Sequence, residues 1–579
     1  MTNKHDKISL NSKTIESEIK TADYDVLNEL CADIRKEIVE ATAKNGGHLS
    51  SNLGAVELTV AIHRNFDLPK DKLIFDVGHQ SYTHKLLSGR SLKGLGQKDG
   101  VSEFQKLNES PFDPFSAGHS STSISAAEGF AIVRDQNKED YNVVALVGDA
   151  AVMNGLALEA INHLSYTKSK VIIVLNDNEM SITSPIGGFQ KCGFDAVAKL
   201  YEDMGFKYVG PIDGHDLKAL DEALSEAKKS DRTVLIHCKT KKGKGYAPSE
   251  VDDYGYWHAT SPFDIETGKP LDLHPNKISW SHYCADLAEE ILEKYPNTNL
   301  IVPATLKGSN LDVCFAKFPT RTFDVGIAEE HALTLASAMA LAGSHPIVTI
   351  YSTFMQRAYD EILHDCARQH ANITVFVDRA GLTGMTGATH NGIYDVAYLM
   401  TIPDVVITMP STKNEALTLA KESLGKHGVF FIRAPREFLD KEDANLENLP
   451  FGRWRFVEEK ENKKLIIVGV GPDGRELNDL LKANGIEASY VNPLYLNSFD
   501  KDDVAKLLGY ENILVYDSYG VENGFASKLG SVLMKAGYKG NFIAKAIGND
   551  FVSHMSIKEQ KSLYGLNPEE MLEFIKATY

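Results

Sequence analysis

Val143-Val144-Ala145-Leu146-Val147-Gly148-Asp149-Ala150-Ala151 opens as five apolar residues and closes on a glycine, a carboxylate and two alanines. An uninterrupted apolar run of that length suits a strand covered on both faces, as in a parallel sheet, and helical periodicity follows from Leu156 to Leu164. The pattern recurs at Val171–Asn176, which runs on into Asp177-Asn178-Glu179-Met180. Asp149 and Asn178 are 29 residues apart, about one strand–helix–strand crossover. Both therefore belong at carboxyl ends of parallel strands, where open α/β sheets bind ligands.

Working outward, further strands are predicted at Thr233–Cys238, Pro346–Tyr351, Ile373–Asp378, Val405–Met409, Val429–Arg433, Leu465–Gly469 and Ile513–Asp517. Helical patterns such as Leu217–Lys228 and Ala332–Ala342 lie between them, so the whole chain reads as α/β with mostly parallel sheets. Residues 247–278 are rich in Pro, Gly, Asp and aromatics, and 437–462 are charged and contain Pro450. Read as links, they leave three α/β domains, 1–265, 280–437 and 463–579.

The 579 residues are 43% hydrophobic and 24% charged, the balance of an ordinary globular protein. A net charge of −18 argues against a nucleic-acid or anionic-membrane surface, so an anionic substrate must be caught by local basic groups. The six cysteines form no CxxC pair, which fits reduced thiols and neither a disulfide framework nor a zinc site. Residues 1–20 are polar with no apolar signal segment, and no apolar run has membrane-spanning length. A cytoplasmic protein with no membrane partner is expected.

An isolated Gly-Asp after a strand is usually a turn with an N-capping carboxylate. The second tip changes that, because Asp149, the Asn178 amide oxygen and a backbone carbonyl form a hard oxygen set suited to Mg²⁺ and phosphate. The two tips resemble the pyrophosphate-domain signature of thiamine-diphosphate enzymes. Gly47-His48-Leu49-Ser50, Asp76-Val77-Gly78-His79-Gln80, Gly118–Ser123, Leu175–Ile182 and Thr240–Tyr246 narrow the resemblance to the 1-deoxy-D-xylulose-5-phosphate synthase family. Phe323–Ala332, Ile350–Asp360, Asp378-Arg379-Ala380-Gly381 and Thr389-His390 extend it, in the same order, over nearly the whole chain.

That resemblance implies a transketolase-like fold, usually in a homodimer, binding thiamine diphosphate through Mg²⁺ at Asp149, Asn178 and the Met180 backbone carbonyl. It implies that Glu329 bonds N1′ of the aminopyrimidine and that Phe354 stacks on it. His79, Gly118, His119, Ser120, Ala150, Ala151, Asn178 and Tyr246 would complete the cofactor contacts. His48 and His390 would serve the reacting donor and acceptor, since imidazole suits proton transfer near neutral pH. Arg379 and Arg436, with Tyr351 and Arg357, would hold the aldehyde's phosphate, where a planar guanidinium binds bidentately. The implied reaction joins pyruvate to D-glyceraldehyde 3-phosphate with loss of CO₂.

Three departures from the family pattern stand out: Ala150 for glycine, Thr386 for aspartate, and a short segment between Ser181 and Leu200. Thr386 motivates a rival, a transketolase-like transfer of a two-carbon ketol unit. Ala150 and Thr386 together motivate another, a cofactor-binding protein without turnover. Gly469-Val470-Gly471-Pro472-Asp473-Gly474 fits GxGxxG, but Pro472 removes a loop N–H, and the next strand ends in Asn492-Pro493 rather than an acid. A nicotinamide site is not expected there.

Overall fold

The computed structural model describes residues 7–179, 186–252, 255–271, 277–439 and 450–579. The Met180 carbonyl, and with it residues 181–185 of the short segment, lies outside them, as do parts of both expected links. The chain divides into two compact units, Met1–Leu273 and His274–Tyr579.

In the first unit, β1 (Lys72–Phe75), β2 (Val143–Gly148), β3 (Ile172–Asp177), β4 (Lys207–Asp213) and β5 (Val234–Lys239) form one parallel sheet, ordered β1-β2-β3-β5-β4. Alternate residues feed two cores. Val144, Leu146, Ile172 and Val174 join the cluster that includes Leu27, Ile34 and Leu58, from helices 24–45 and 56–65. Ala145, Val147, Ile173 and Leu175 face Ile124, Ala131, Ile161 and Leu164, from helices 123–137 and 155–167. Each buried Val, Leu or Ile contributes about 1.5–3 kcal/mol, and a charge at Ile173 would break the layer. Asn154 starts the second of those helices by accepting from Leu156 N.

The stretch 255–271 packs on this unit, with Trp257 and Phe263 in the first of the two cores. A composition rich in Pro, Gly and aromatics therefore marks an ordered coil here.

In the second unit, β6 (Ile278–Ser279) pairs antiparallel with β13 (Phe438–Leu439). Six parallel strands, β7 (Thr298–Val302), β8 (Thr322–Asp324), β9 (His345–Tyr351), β10 (Ile373–Ala380), β11 (Val405–Thr408) and β12 (Val429–Pro435), are ordered β11-β12-β10-β9-β7-β8. A further sheet holds β14 (Arg455–Glu458), β15 (Leu465–Gly469), β16 (Ser489–Asn492), β17 (Asn512–Val521) and β18 (Asn541–Ile547). Its order is β14-β16-β15-β17-β18, and only β14 runs antiparallel. One buried cluster takes Val375 and Ile407 from one sheet and Ile466, Val491 and Val515 from the other. Bonds from Met409 N to Leu494 O and from Leu496 N to Ile407 O stitch them together.

The GxGxxG turn is filled from within. A side chain on Gly471 would meet the Tyr519 ring at 3.0 Å, and one on Gly474 would meet the Gly469 carbonyl carbon at 2.4 Å. Asp473 accepts from Ser518 and from Lys561. The glycines here serve packing.

Candidate active site

β2 and β3 are paired in register, Gly148 with Asn176, so Asp149 and Asn178 leave adjacent strands at the same end of the sheet. Asp149 is 2% exposed and opens the short turn Asp149–Val152, where Ala150 N donates to its Oδ1 at 2.8 Å. The Asp76 carboxylate accepts from Ser121 N at 2.7 Å and Ser123 N at 3.1 Å. Ser121 Oγ in turn donates to Ala151 O at 2.9 Å. Gly118, His119 and Ser120 are thereby held beside the turn that carries Ala150 and Ala151. Asn176 donates to Gln80 and accepts from Thr240, which ties the Asp76–Gln80 and Thr240–Tyr246 strings to the tip of β3.

His48 and His79 come together with a third histidine. Their rings lie 5.3 Å apart, and that of His258 lies 5.6 Å from His48 and 5.4 Å from His79. Asn52 fixes the backbone beneath, donating to the carbonyls of His48 at 2.7 Å and His79 at 2.6 Å. Burial, helped by the neighbouring imidazoles and Lys242, holds His79 and His258 well below the usual 6.5, so both are neutral at pH 7. The Nδ1 atoms of both are buried without a hydrogen-bond partner among the described residues. Burial pushes the Lys242 ammonium down to about 8, against the pull of Asp149 and Asp252.

His258 and Lys242 were hidden in the sequence. The first sits in the stretch read as a link, and the second within a longer family string. Tyr246 stands apart from the histidines' ring contacts: its hydroxyl donates to Ile265 O at 2.9 Å and its ring packs on Trp257 and Phe263.

In the second unit Glu329 begins helix 329–341 and is 3% exposed. Burial raises its carboxyl above the ordinary 4.5, and Arg357 opposes the shift. Arg357 Nη1 is 3.5 Å from Glu329 Oε2. That is ion-pair range without hydrogen-bond alignment, since Oε2 has no hydrogen-bond partner among the described residues.

The remaining candidates gather at the ends of β9 and β10. Tyr351 is in register with Asp378, and the Arg379 guanidinium lies 4.0 Å over the Tyr351 ring. A Cβ on Gly308 would fall 1.8 Å from the Tyr351 hydroxyl, so only glycine admits this approach. Burial pushes the Tyr351 phenol up to about 12, opposed by Arg379 and Arg436. Arg436 Nη1 donates to Thr383 O at 2.8 Å. The Phe354 ring stacks on Tyr351 at 5.5 Å and meets His390 edge-on at 5.5 Å. His390 Nδ1 lies 2.7 Å from Thr389 Oγ1, which bonds Thr386 O at 2.9 Å. Thr386 itself exchanges a hydroxyl bond with Thr383 at 3.0 Å.

Among the described residues no three His, Cys, Asp or Glu side chains cluster as a metal site, and no helix is long and apolar enough to cross a membrane.

Comparison with known proteins accounts for this arrangement. A 1-deoxy-D-xylulose-5-phosphate synthase family model matches residues 10–197 and 193–240, and the transketolase pyrimidine-binding domain matches 276–441. The Geobacillus thermodenitrificans 1-deoxy-D-xylulose-5-phosphate synthase is 38% identical, covering 96% of this chain and 97% of its own. That of Listeria monocytogenes is 37% identical over 96% of this chain and 95% of its own. A solved Campylobacter jejuni transketolase covers 98% of this chain and 100% of its own at 17% identity, but its TM-score of 0.46 is too low to argue from. By full-length identity, the chain belongs to the 1-deoxy-D-xylulose-5-phosphate synthase family.

Proposed function

We propose that this protein condenses pyruvate with D-glyceraldehyde 3-phosphate, with loss of CO₂, to give 1-deoxy-D-xylulose 5-phosphate, acting as a cytoplasmic homodimer with thiamine diphosphate and Mg²⁺. Family membership over the full length supports the substrates. The observation that carries the cofactor is Glu329, a buried carboxyl whose Oε2 lacks a hydrogen bond among the described residues. A buried polar atom left open in a folded chain calls for a ligand atom to complete it. The donor set of the first unit fits as well: a buried carboxylate at Asp149, the Asn178 amide just past the adjacent strand, and the half-buried Lys242 ammonium suit a metal diphosphate.

When bound, thiamine diphosphate supplies a nucleophilic carbon and a sink for the electron pair released on decarboxylation. The chain's residues then have separable tasks. Asp149 and Asn178, with the Met180 carbonyl, would hold Mg²⁺. Gly118, His119, Ser120, Ala150, Ala151 and Lys242 face the diphosphate. Glu329 would share a proton with N1′ of the aminopyrimidine, for which its raised affinity for protons suits it, and Arg357 restrains that affinity. Phe354 offers a face to the pyrimidine, while His79 and Tyr246 complete the cofactor's surroundings. His48 and His390 move protons on donor and acceptor. Arg379 and Arg436, with Tyr351 and Arg357, grip the aldehyde's phosphate.

Product analysis tests the reading. Purified protein with [¹³C]pyruvate, D-glyceraldehyde 3-phosphate, cofactor and Mg²⁺ is expected to release CO₂ and yield the deoxy sugar phosphate by NMR. Turnover confined to ketose donors would replace the proposal with the ketol-transfer reading that Thr386 motivates. Cofactor binding with no turnover on any acceptor would leave a non-catalytic binder.

A further inference from the structure

Glu103 has no task in the reading above, yet it is a carboxylate 4% exposed in the interior of the first unit. Such a group is costly to bury unless it is paired. Among the described residues its one ion-pair partner is His48, whose Nδ1 lies 3.1 Å from Glu103 Oε2. The contact is close but off the axis of a ring N–H, since Nδ1 makes no aligned hydrogen bond among the described residues.

Both partners are braced independently. The His48 N–H donates to the Tyr82 hydroxyl at 3.0 Å, and Asn52 holds its carbonyl. The segment carrying Glu103 is pinned on either side. Ser102 N donates to Glu109 at 2.7 Å, and Glu109 is gripped by Lys85 and Arg90. Gln105 donates to Leu73 O at 2.8 Å and accepts from Phe75 N at 3.0 Å, bonding to β1. Phe104 adds an edge-on contact to the His48 ring at 5.4 Å.

A ring nitrogen that faces a carboxylate carries the proton, which fixes the tautomer and turns the other nitrogen outward as the working edge. We propose that Glu103 is a positioning residue for His48, holding the proton on Nδ1 so that Nε2 is the atom that exchanges protons with the substrate. This rests on the reading of His48 as a proton-transfer residue. Other titratable groups facing the His48 ring are His79 and His258, with Tyr82 at its backbone and Lys242 within electrostatic reach of both neighbouring imidazoles. Burial keeps those two histidines uncharged at neutral pH, and the group that faces His48 Nδ1 is the Glu103 carboxyl.

The test uses the holoenzyme and two independent readouts. Glu103→Gln keeps the shape and removes the charge. It is expected to lower kcat about ten-fold or more and to move the acid limb of the pH–rate profile down by about one unit or more, with KM for the aldehyde little changed. Glu103→Asp should restore part of both. In a His48→Asn background the same Gln substitution should cost nothing further, because the two residues act as one unit. Histidine C2 hydrogen–deuterium exchange, read by mass spectrometry, follows His48 titration without turnover and should show the same downward shift. An unmoved His48 titration, or a full additional loss in the His48→Asn background, overturns the Glu103 proposal. If His48→Asn retains normal activity while the exchange shift is present, it is the role of His48 that fails and the pairing that stands.

Discussion

In the first unit Glu57 is buried against His215 and Arg35, and burial, which pushes its carboxyl up, is outweighed by their hydrogen bonds, so that it falls to about 2. Asp113 is likewise held below its ordinary 3.8, because His84 and Arg90 outweigh burial. In the second unit Glu329, Asp378 and Asp517 are buried too, but burial wins over Arg357, Arg379 and Arg433, and all three carboxyls are raised. The same residue types, equally hidden, are kept charged in one unit and eased toward the neutral form in the other. What differs is the donor. Glu57 and Asp113 are hydrogen-bonded by His and Arg side chains. Asp378 instead accepts from Ser281, Ser309 and a backbone amide, and Asp517 from the Tyr519 amide, with the guanidinium only nearby. Kept charged, a carboxylate can hold a cation; eased toward neutrality, it can share a proton with a ligand nitrogen.

The two candidate cofactor residues, Asp149 and Glu329, put the contrast to the test, and matched neutral substitutions would break it if it is mistaken. Asp149→Asn keeps the shape and removes the charge, so Mg²⁺-dependent thiamine diphosphate affinity should fall roughly a hundred-fold or more by calorimetry. Glu329→Gln should bind the cofactor within a few-fold of normal but lose about a hundred-fold in kcat, since the proton it shares is gone. If the two variants exchange phenotypes, the division of labour between the units is wrong.

Acid should separate the units more gently. His63, His79 and His258 in the first unit sit below 6.5 in the folded chain. The unfolded chain therefore takes up their protons first, and stability falls as pH drops below about 6.5. Glu57 adds a second loss: its contribution, on the order of 3 kcal/mol, is complete above 4.5 and disappears as pH falls toward about 2. Glu329, Asp378 and Asp517 have the opposite sign, since their folded forms bind protons more tightly and gain stability as pH falls through their raised values. Amide exchange of the cofactor-free protein at pH 7 and pH 4.5 should show protection lost first in Met1–Leu273. Equal loss in both units would mean that these groups do not govern acid stability.

The sequence yielded the strands that physics makes loud. β2, β3, β10 and β12 are apolar and buried on both faces, so composition alone locates them. β4 is silent because it is half exposed and interrupted by Pro211, and β1 because only three apolar residues, Leu73–Phe75, stand between charged neighbours. The candidate site divides the same way. Asp149 and Asn178 follow legible strands, and His48, His79 and His390 lie within family strings. His258 and Glu103 lie in coil, where no periodicity signals that a fold will bring them to His48. Such residues are found only by spatial neighbourhood, here a ring contact of 5.6 Å and an ion pair of 3.1 Å. Arg357 lies beside Glu329, a neighbour that its family string does not signal either.

The smallest effect concerns Ala150, where the family pattern has glycine. A glycine there would matter if the backbone needed a left-handed conformation, but Ala150 lies inside the helical turn Asp149–Val152 and is not among the residues with positive φ. Its N–H is already turned onto Asp149 Oδ1, so the turn that presents the carboxylate is made without glycine's freedom. Ala150→Gly should therefore change cofactor affinity less than about three-fold while costing about 1 kcal/mol of local stability. A ten-fold gain in affinity would instead show that the methyl group holds the diphosphate off. Cofactor binding at Asp149 would then be limited by steric access, not by the carboxylate's own chemistry.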